Sequence, residues 1–330
     1  MMLDVTKARI IHDFTHDRPL LACRYDPKER FVVTSSEDFR LQKFNLPGGE
    51  KTILPEVHNS WVHALGFSPD GQILYSGGCD GKLVLWNIAE AEVKPIRIIE
   101  AHQGWLRTLS VSPDGSLVAT GGNDKAVKIW NTQTGELVKQ WPGHAKNVYS
   151  VQFMPDGKRV LSGDLGGAVQ LRALDADDVK AAFEAKPLHT YEGGQMVDFG
   201  GVRCLAVRPN SDQFAAGGLH KATNPLGAVH EPLALRFAFE GSQLLKSHVT
   251  EGITGGGLWR VQWLSDGTLM GVSGGSSGGF LIFWNDQQEK DFSRFKLPAL
   301  ARDMDLANNG LNVVTAHHDG HVRITRLSES

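Results

Sequence analysis

The chain has 330 residues, of which 41% are hydrophobic and 22% charged, a composition typical of a folded protein that can bury a large apolar core. Its formal net charge of −3 gives no electrostatic reason to expect binding to nucleic acid or to an anionic membrane. Because no run approaches about 18 consecutive apolar residues, no membrane-spanning helix is predicted. The N-terminus lacks the apolar stretch of a signal peptide, and Cys23, Cys79 and Cys204 show no metal-type spacing, so we expect reduced thiols and a cytoplasmic location.

One sequence pattern recurs along the chain. Residues 58–87 and 102–131 align without a gap, and the same offset relates His58 to His102 and Trp86 to Trp130. A third clear copy begins at Gly143, and weaker copies occupy residues 16–45, 201–218, 258–285 and 300–327. Each copy contains a turn motif, marked in chain order by Asp26, Asp70, Asp114, Asp156, Asn210, Asp266 and Asn309. The chain therefore contains seven repeated units.

Within each unit, short apolar segments alternate with tight turns. In the third unit, strands are predicted at residues 106–111, 117–120, 127–130 and 137–141, with Pro113-Asp114-Gly115 as a hairpin turn. One such four-stranded sheet cannot bury both of its faces alone, whereas radially stacked sheets can. The sequence therefore predicts an all-β fold, a seven-bladed β-propeller of four-stranded antiparallel blades, in a single domain over residues 1–330.

With these motifs the sequence resembles the WD40-repeat propellers over essentially its whole length. The resemblance is most specific in units two and three, which contain His58, Ser76, Asp80, Trp86, His102, Thr120, Asp124 and Trp130. It implies a structural network in which carboxylate, imidazole, hydroxyl and indole are joined by hydrogen bonds. A catalytic triad is the alternative for a His–Ser–Asp set, but a triad occurs once, whereas this set recurs together with a tryptophan. We therefore expect no catalytic residue in it.

The last unit ends after its third strand, so a fourth strand is missing at the C-terminus. Residues 7–16 (KARIIHDFTH) closely match residues 95–102 (PIRIIEAH), which precede unit three. We therefore predict that residues 8–14 pair beside residues 322–326 as the outer strand of the last blade. Such closure removes an exposed edge and joins the two ends of the chain.

Unit four departs from the repeat. It keeps His144 and Ser162 but has Gly166 in the aspartate position and Arg172 in the tryptophan position. Residues 177–185 (DDVKAAFEA) begin with acidic residues and continue with helix formers, so they predict a short helix within an insertion at about 175–190. We expect this insertion to project from the rim or the underside of the propeller, with a solvated decoration as the alternative to a functional role.

Two further insertions interrupt units five and six, at about 219–235 and 247–257. The family's topology implies that both lie on the top face and on neighbouring blades, where loops commonly carry binding residues; tolerated surface insertions are the alternative. The histidines of this region are His220, His230 and His248, with His317, His318 and His321 in unit seven. Neutral imidazoles are common metal ligands, but these spacings match no standard site, so we expect no metal and no cofactor.

Aromatic and cationic residues stand at the start of the inner strands, a position the family often uses to contact partners. Tryptophan, tyrosine and arginine are the residues most enriched in interface hot spots. The predicted partner-binding residues are Trp61, His63, Trp105, Arg107, Asn147, Tyr149, Trp259 and Arg302, together with His220, His230, His248 and His318. The alternative for Trp61 and Trp105 is packing against neighbouring blades. Trp86, Trp130 and Trp284 occupy the repeat's structural position and are expected in the core.

Three functions remain open at this point. The resemblance favours a non-catalytic, monomeric scaffold that binds a partner protein or peptide on its top face, although fold alone does not fix function. The second is a small-molecule or metal-dependent enzyme that uses the histidine-rich sector of blades five to seven. The third is a reader of nucleic acid or basic tails, for which the phosphate-contacting candidates are Arg107, Arg203, Arg302 and Lys221.

Overall fold

The fold is all-β. The computed structural model describes residues 3–223 and 230–328, which form seven four-stranded antiparallel sheets and one two-stranded sheet. The predicted seven-bladed β-propeller with four-stranded antiparallel blades is therefore confirmed. The helical segments within this described part are three 3-10 turns, Val5–Lys7, Lys186–Leu188 and Glu240–Ser242. None of them has the length or the hydropathy that crossing a bilayer requires.

The strands are numbered in chain order. The first thirteen are β1 (Arg9–Thr15), β2 (Leu20–Tyr25), β3 (Phe31–Ser36), β4 (Leu41–Asn45), β5 (Lys51–Ile53), β6 (Val62–Phe67), β7 (Ile73–Gly78), β8 (Lys82–Asn87), β9 (Lys94–Glu100), β10 (Leu106–Val111), β11 (Leu117–Gly122), β12 (Val127–Asn131) and β13 (Leu137–Trp141). The next are β14 (Val148–Phe153), β15 (Arg159–Asp164), β16 (Ala168–Ala173), β17 (Val179–Glu184), β18 (His189–Glu192), β19 (Val197–Gly200), β20 (Val202–Val207), β21 (Gln213–His220), β22 (Glu231–Ala238) and β23 (Leu244–Val249). The last are β24 (Gly257–Trp263), β25 (Leu269–Gly275), β26 (Gly278–Trp284), β27 (Ser293–Leu297), β28 (Ala301–Leu306), β29 (Asn312–His317) and β30 (His321–Arg326).

Consecutive strands make up the blades. Blades 1 to 4 are β2–β5, β6–β9, β10–β13 and β14–β17, blade 5 is β20–β23, blade 6 is β24–β27, and blade 7 is β28–β30 with β1. Strands β18 and β19 pair with each other as a separate hairpin. The first strand of a blade contacts the first strand of its neighbour, as β2 does with β6 and β20 with β24, so we call these the inner strands.

By compactness the chain falls into two units. The first contains the described residues up to Asp124, Lys128–Gln140 and the described residues from Arg302 onward, and it holds blades 1, 2, 3 and 7. The second contains Lys125–Val127 and Trp141–Ala301, and it holds blades 4, 5 and 6 with the hairpin. The assignment of residues 1–330 to a single domain stays a prediction.

In the first unit, the N-terminal strand completes blade 7. Strand β1 pairs antiparallel with β30, with Asp13 opposite Arg323. The ring of Phe14 stacks on Phe44 of blade 1, with 6.0 Å between their centroids. The predicted closure is therefore confirmed, and the strand runs one residue later than predicted, over Arg9–Thr15.

Aspartate-glycine turns fix the hairpin between the first two strands of a blade. In blade 3, the carboxylate of Asp114 accepts hydrogen bonds from the Ser112 hydroxyl (2.6 Å) and the Ser116 backbone N–H (3.0 Å). Gly115 has a φ of 75°, which is readily adopted only without a Cβ. The turn therefore sets the register of the inner strand against its neighbour.

In the second unit, aromatic packing joins blade 4 to blade 5. The ring of Phe183, on the outer strand β17, lies edge-on to Phe214 at 4.8 Å and to Phe237 at 5.8 Å between centroids. All three side chains are buried. Burial of a phenylalanine contributes roughly 1.5–3 kcal/mol to the free energy of unfolding, so this cluster holds β17 firmly in its sheet.

The helix predicted within residues 177–185 is wrong, because Val179–Glu184 forms strand β17. Lysine, alanine and glutamate favour a helix in isolation. However, Ala181 and Phe183 alternate with exposed neighbours, and both pack against the apolar core, which an extended backbone permits. Of the insertion predicted at about 175–190, the helical part is the single turn Lys186–Leu188.

The two predicted top-face insertions are shorter than expected, because long strands take up much of their sequence. Strand β21 continues to His220 and β22 begins at Glu231, so the first connection covers residues 221–230, of which 224–229 lie outside the described residues. Strand β23 includes the first three residues of the second insertion, which leaves residues 250–256 as the connection to β24.

Candidate functional site

A chain of hydrogen bonds crosses blade 2 from the loop before its inner strand to its third strand. His58 Nδ1 lies 3.1 Å from Asp80, and His58 Nε2 lies 2.8 Å from Ser76 Oγ. Trp86 Nε1 donates to the same hydroxyl at 2.8 Å. Because the carboxylate can only accept, Nδ1–H donates to it, and in the neutral imidazole Nε2 accepts from the Ser76 hydroxyl.

Blade 3 repeats this geometry. His102 lies 2.8 Å from Asp124 through Nδ1 and 2.8 Å from Thr120 through Nε2, and Trp130 donates to Thr120 at 2.9 Å. Burial lowers the pKa of His102 below its ordinary value in spite of the nearby carboxylate, so the imidazole is neutral at pH 7. The Thr120 hydroxyl is buried and is engaged by both His102 and Trp130.

Blade 4 contains the same arrangement with an aspartate that the sequence analysis missed. Gly166 stands where the repeat predicts the acid, but Asp164, two residues earlier, bonds His144 Nδ1 at 3.0 Å. His144 Nε2 lies 2.8 Å from Ser162 Oγ. Arg172, at the tryptophan position, instead donates to the Asp177 carbonyl at 2.6 Å. Blade 4 therefore keeps the histidine network, and Asp164, not residue 166, supplies its acid.

The inner strands share a β-bulge near their start, which falls on the second residue in five blades and on the third residue of β24. In six blades the pairing register shifts across one residue, and these residues are Leu21, His63, Arg107, Tyr149, Arg203 and Trp259. A bulge leaves one residue outside the regular pairing and redirects its side chain. Four of the six are residues predicted for partner binding, whereas Leu21 and Arg203 are not in that set. The sequence signal for Arg203 was its position in the fifth copy of the repeat.

In the first unit, two tryptophans precede neighbouring inner strands and reach the surface. Trp61 is 41% exposed and Trp105 is 37% exposed. The guanidinium carbon of Arg107 lies 4.6 Å from the centre of the Trp105 ring, and its Nε donates to Asn123 at 2.5 Å. The His63 ring lies edge-on to Trp61 at 6.4 Å. This surface combines exposed aromatic area with an ordered cation, a combination common in protein interfaces.

Arg302, also in the first unit, is held by its neighbours. One guanidinium nitrogen donates to Glu37 Oε1 at 2.9 Å, and another lies 3.0 Å from Nδ1 of His318. The structure thus brings Arg302 and His318 together. Their polar groups are engaged within the chain, which leaves them less available to a partner than the tryptophans are.

In the second unit, three bulge residues stack on one another. The guanidinium carbon of Arg203 lies 4.1 Å from the ring centre of Tyr149 and 6.0 Å from that of Trp259. These residues come from β14, β20 and β24, which are neighbouring inner strands. Asn147, two residues before Tyr149, accepts the Leu165 N–H at its carbonyl (2.9 Å) and so anchors the start of β14.

The connection from blade 4 to blade 5 carries the β18–β19 hairpin, which the sequence analysis did not predict. Asp198 of this hairpin accepts from Lys146 Nζ at 2.7 Å and lies 2.8 Å from His189 Nε2. Pro187, just before the hairpin, accepts a hydrogen bond at its carbonyl from His220 Nδ1 at 2.8 Å. The hairpin therefore lies beside the β21–β22 connection.

The two connections of blades 5 and 6 also meet. The backbone N–H of His230 donates to the Thr254 carbonyl at 3.1 Å, and the Gly256 N–H donates to the His230 carbonyl at 3.1 Å. His230 is buried, as is His248 beneath Trp284, so the structure places neither imidazole on the exposed surface. Among the described residues, no group of three or more histidine, cysteine, aspartate or glutamate side chains is arranged to hold a metal ion.

The repeats are similar to those of known proteins. A profile of the WD domain, G-beta repeat family matches residues 50–87, 93–131 and 135–171. The Serine-threonine kinase receptor-associated protein of Bos taurus is 42% identical over 60 residues, which cover 18% of this chain and 17% of that protein. The Small ribosomal subunit protein RACK1y of Oryza sativa subsp. japonica is 34% identical over 68 residues, 21% of this chain and 20% of the relative. The Guanine nucleotide-binding protein subunit beta of Zea mays is 30% identical over 73 residues, 22% and 19%.

These alignments span a fifth or less of the relatives' own length. Each segment matched by the family profile begins with the outer strand of one blade and continues through three strands of the next, as β5 to β8 do within residues 50–87. The same four-stranded architecture extends through the remaining blades. Three segments of the chain thus match the WD domain, G-beta repeat family, and the described residues have the fold of a seven-bladed β-propeller.

Proposed function

We propose that this protein is a non-catalytic scaffold that binds a partner protein or peptide through the residues at the start of its inner strands. The observation that carries the proposal is the recurring β-bulge, which redirects an aromatic or cationic side chain in blade after blade. Rigid strands hold these side chains in place, so little conformational entropy is lost when a partner binds.

The exposed tryptophans are the strongest anchors in this set. Trp61 and Trp105 precede the inner strands of adjacent blades and keep more than a third of their surface exposed, although each is a large apolar side chain. Arg107 stacks on Trp105 and is fixed by Asn123, which leaves a rigid aromatic and cationic surface. Such residues commonly dominate the binding energy of an interface.

The hydrogen-bonded histidines support a structural role over a catalytic one. In blade 2 the hydroxyl of Ser76 bonds both Trp86 and His58, and all three side chains are buried. The same set recurs in blade 3, and its histidine and hydroxyl recur in blade 4. We therefore assign these residues to stability.

Two of the four cations proposed for a nucleic-acid reader are paired with carboxylates of the chain. Arg302 pairs with Glu37 at 2.9 Å, and Lys221 pairs with Glu231 at 3.1 Å. This pairing reduces their attraction for phosphates and favours a protein partner. The names of the three relatives describe a receptor-associated protein, a ribosomal subunit protein and a subunit of a larger protein, which also supports a role in assemblies.

Affinity capture tests this proposal. The wild-type protein is immobilised beside the variant Trp61→Ala/Trp105→Ala, and proteins retained from an extract of the source organism are quantified by mass spectrometry. A matched control is Ile96→Ala/Ile98→Ala, which removes two similarly exposed apolar side chains from the outer strand of blade 2. We expect at least one protein to be retained by the wild type and the control and strongly depleted on the tryptophan variant. Identical retention by all three would overturn the proposed surface.

A further inference from the structure

Arg203 has an unusual environment for a charged side chain. It is half-buried at the bulge of β20, with its guanidinium against the Tyr149 ring on one neighbouring inner strand and facing the Trp259 ring on the other. Aromatic faces attract a cation through their quadrupoles, which stabilises the guanidinium by about 0.5–2 kcal/mol per favourable ring. Beyond the Tyr149 hydroxyl, the two rings provide no acceptor for its N–H groups.

The two rings are held in place independently of Arg203. Trp259 Nε1 donates to the Gly274 carbonyl at 2.9 Å, and the ring lies so close to Gly257 that a Cβ there would meet it at 3.3 Å. The Tyr149 ring lies over Gly201, where a Cβ would approach it to 3.1 Å. The gap occupied by the guanidinium is therefore preorganised by the backbone on both sides.

The positive charge of Arg203 has no counter-charge among the described residues. Its Nε is buried without a hydrogen-bond partner, and burial lowers the pKa of its guanidinium below the ordinary value. No carboxylate of the described chain raises the pKa of Arg203. By contrast, Arg302, which also follows the first residue of an inner strand, has its own carboxylate in Glu37.

Three carboxylates on the surrounding insertions are paired with other cations. Asp198 of the hairpin binds Lys146 at 2.7 Å, and Glu231 binds Lys221 at 3.1 Å. Glu251, in the connection to β24, binds Lys290 at 2.6 Å. These three acids are therefore engaged with lysines and not with Arg203.

We propose that Arg203, between Tyr149 and Trp259, is the recognition site for a carboxylate side chain of the peptide partner, so that this end of the second unit binds an acidic peptide segment. The guanidinium presents a planar set of donors that matches a carboxylate in two parallel hydrogen bonds. Binding supplies the missing counter-charge to a cation that the protein already holds partly out of water. This inference rests on the proposed scaffold function and names the chemistry of its partner.

Selection from a random peptide library displayed on phage tests the proposal, because it needs no identified partner. The library is selected in parallel on the wild type, Arg203→Gln, Arg203→Lys and Arg302→Gln, each first shown by its melting curve to be folded. We expect aspartate or glutamate to be enriched at one position of the peptides selected on the wild type. With Arg203→Gln, we expect the acidic enrichment to be lost. With Arg203→Lys, we expect it to be reduced, because lysine keeps the charge but lacks the planar pair of donors. With Arg302→Gln, we expect it to be retained, since Arg302 already binds Glu37.

The best peptide is then synthesised with its acidic residue, with the matching amide, and with phosphoserine at that position. On the wild type, we expect the amide peptide to bind at least about tenfold more weakly than the acidic peptide. On Arg203→Gln, we expect the two peptides to bind equally. Binding of the phosphoserine peptide alone would overturn the carboxylate assignment in favour of phosphate. Selection without acidic enrichment, or the same enrichment on Arg203→Gln, overturns the proposal entirely. The two proposals can be distinguished. If acidic peptides are selected through Arg203 while Trp61→Ala/Trp105→Ala still retains every captured protein, the proposed tryptophan surface is wrong and the Arg203 site is supported.

Discussion

The carboxylate of Asp13 on the first strand lies 3.1 Å from Nε of Arg323 on the last strand, opposite it in the sheet. The same carboxylate also bonds Nδ1 of His321 at 2.6 Å. Arg323 is buried and pairs in addition with Asp319 at 2.8 Å, so the two ends of the chain share one polar network. These contacts hold β1 and β30 side by side, although the two strands are far apart in the sequence.

Removal of this strand tests the closure of blade 7. Deletion of residues 1–14 exposes the edge of β30 and uncovers Phe44, on which Phe14 stacks. We expect the melting temperature to fall by roughly 5–10 °C, since several kcal/mol of pairing and apolar burial are lost. Scanning calorimetry of the wild type and the truncated chain measures this, and an unchanged melting temperature would refute the closure.

The newly assigned acid of blade 4 gives a second prediction. Asp164→Ala leaves the buried Nδ1 of His144 without its acceptor, so we expect the free energy of unfolding to fall by about 1–3 kcal/mol in urea titrations. The matched control is Asp175→Ala, which alters an exposed aspartate in the connection from β16 to β17 of the same blade, and the expected change is within about 0.5 kcal/mol. Equal effects of the two substitutions would show that Asp164 is not part of the network.

His248 makes stability depend on pH. Burial, followed by the charges of Arg236 and Lys246, lowers its pKa to about 4, against which Asp286 acts in the opposite direction. The unfolded chain binds a proton at this histidine below about pH 6.5, whereas the folded chain does not until about pH 4. Stability is therefore fully present above pH 6.5 and falls as the pH drops from 6.5 to 4, by about 3 kcal/mol from this residue.

Denaturant titrations across this pH range measure the effect. His248→Phe keeps a ring against Trp284 and removes the titrating group, so its free energy of unfolding should fall less than that of the wild type between pH 6.5 and 4. Neither ring nitrogen of His248 has a hydrogen-bond partner among the described residues, so the substitution should cost little at pH 7. The control is His12→Phe on the half-exposed first strand. Parallel pH profiles for His248→Phe and the wild type would contradict the assignment.

Local sequence signals were sufficient for much of the fold. The turn around Asp114 and the strand ending in Trp130 each follow from neighbouring residues, because hairpin turns depend on short-range backbone preferences. The pairing of β1 with β30 was also predictable, since the N-terminal segment resembles an outer strand and the last unit lacks one. Because the turn motif recurs seven times, the number of blades can be predicted even though each single motif is a weak signal.

Features that depend on distant contacts were not predictable. The segment around Phe183 has helix-forming residues, and only its packing on Phe214 and Phe237 from another blade selects a strand. Asp164 was missed because it stands at the last residue of β15, where blade 2 has Gly78, and a side chain added at Gly78 would also reach the histidine Nδ1. Arg203 stands out only when Tyr149 and Trp259, from two other blades, are seen beside it.

The most direct test of the central claim is the dissociation constant of a captured partner for the wild type and for Trp61→Ala/Trp105→Ala, measured by isothermal titration calorimetry. If these exposed side chains anchor the partner, their removal weakens binding by at least about thirtyfold, equivalent to about 2 kcal/mol, while Ile96→Ala/Ile98→Ala leaves it unchanged. A dissociation constant that is the same for the tryptophan variant and the wild type would contradict the assignment of partner binding to the start of the inner strands.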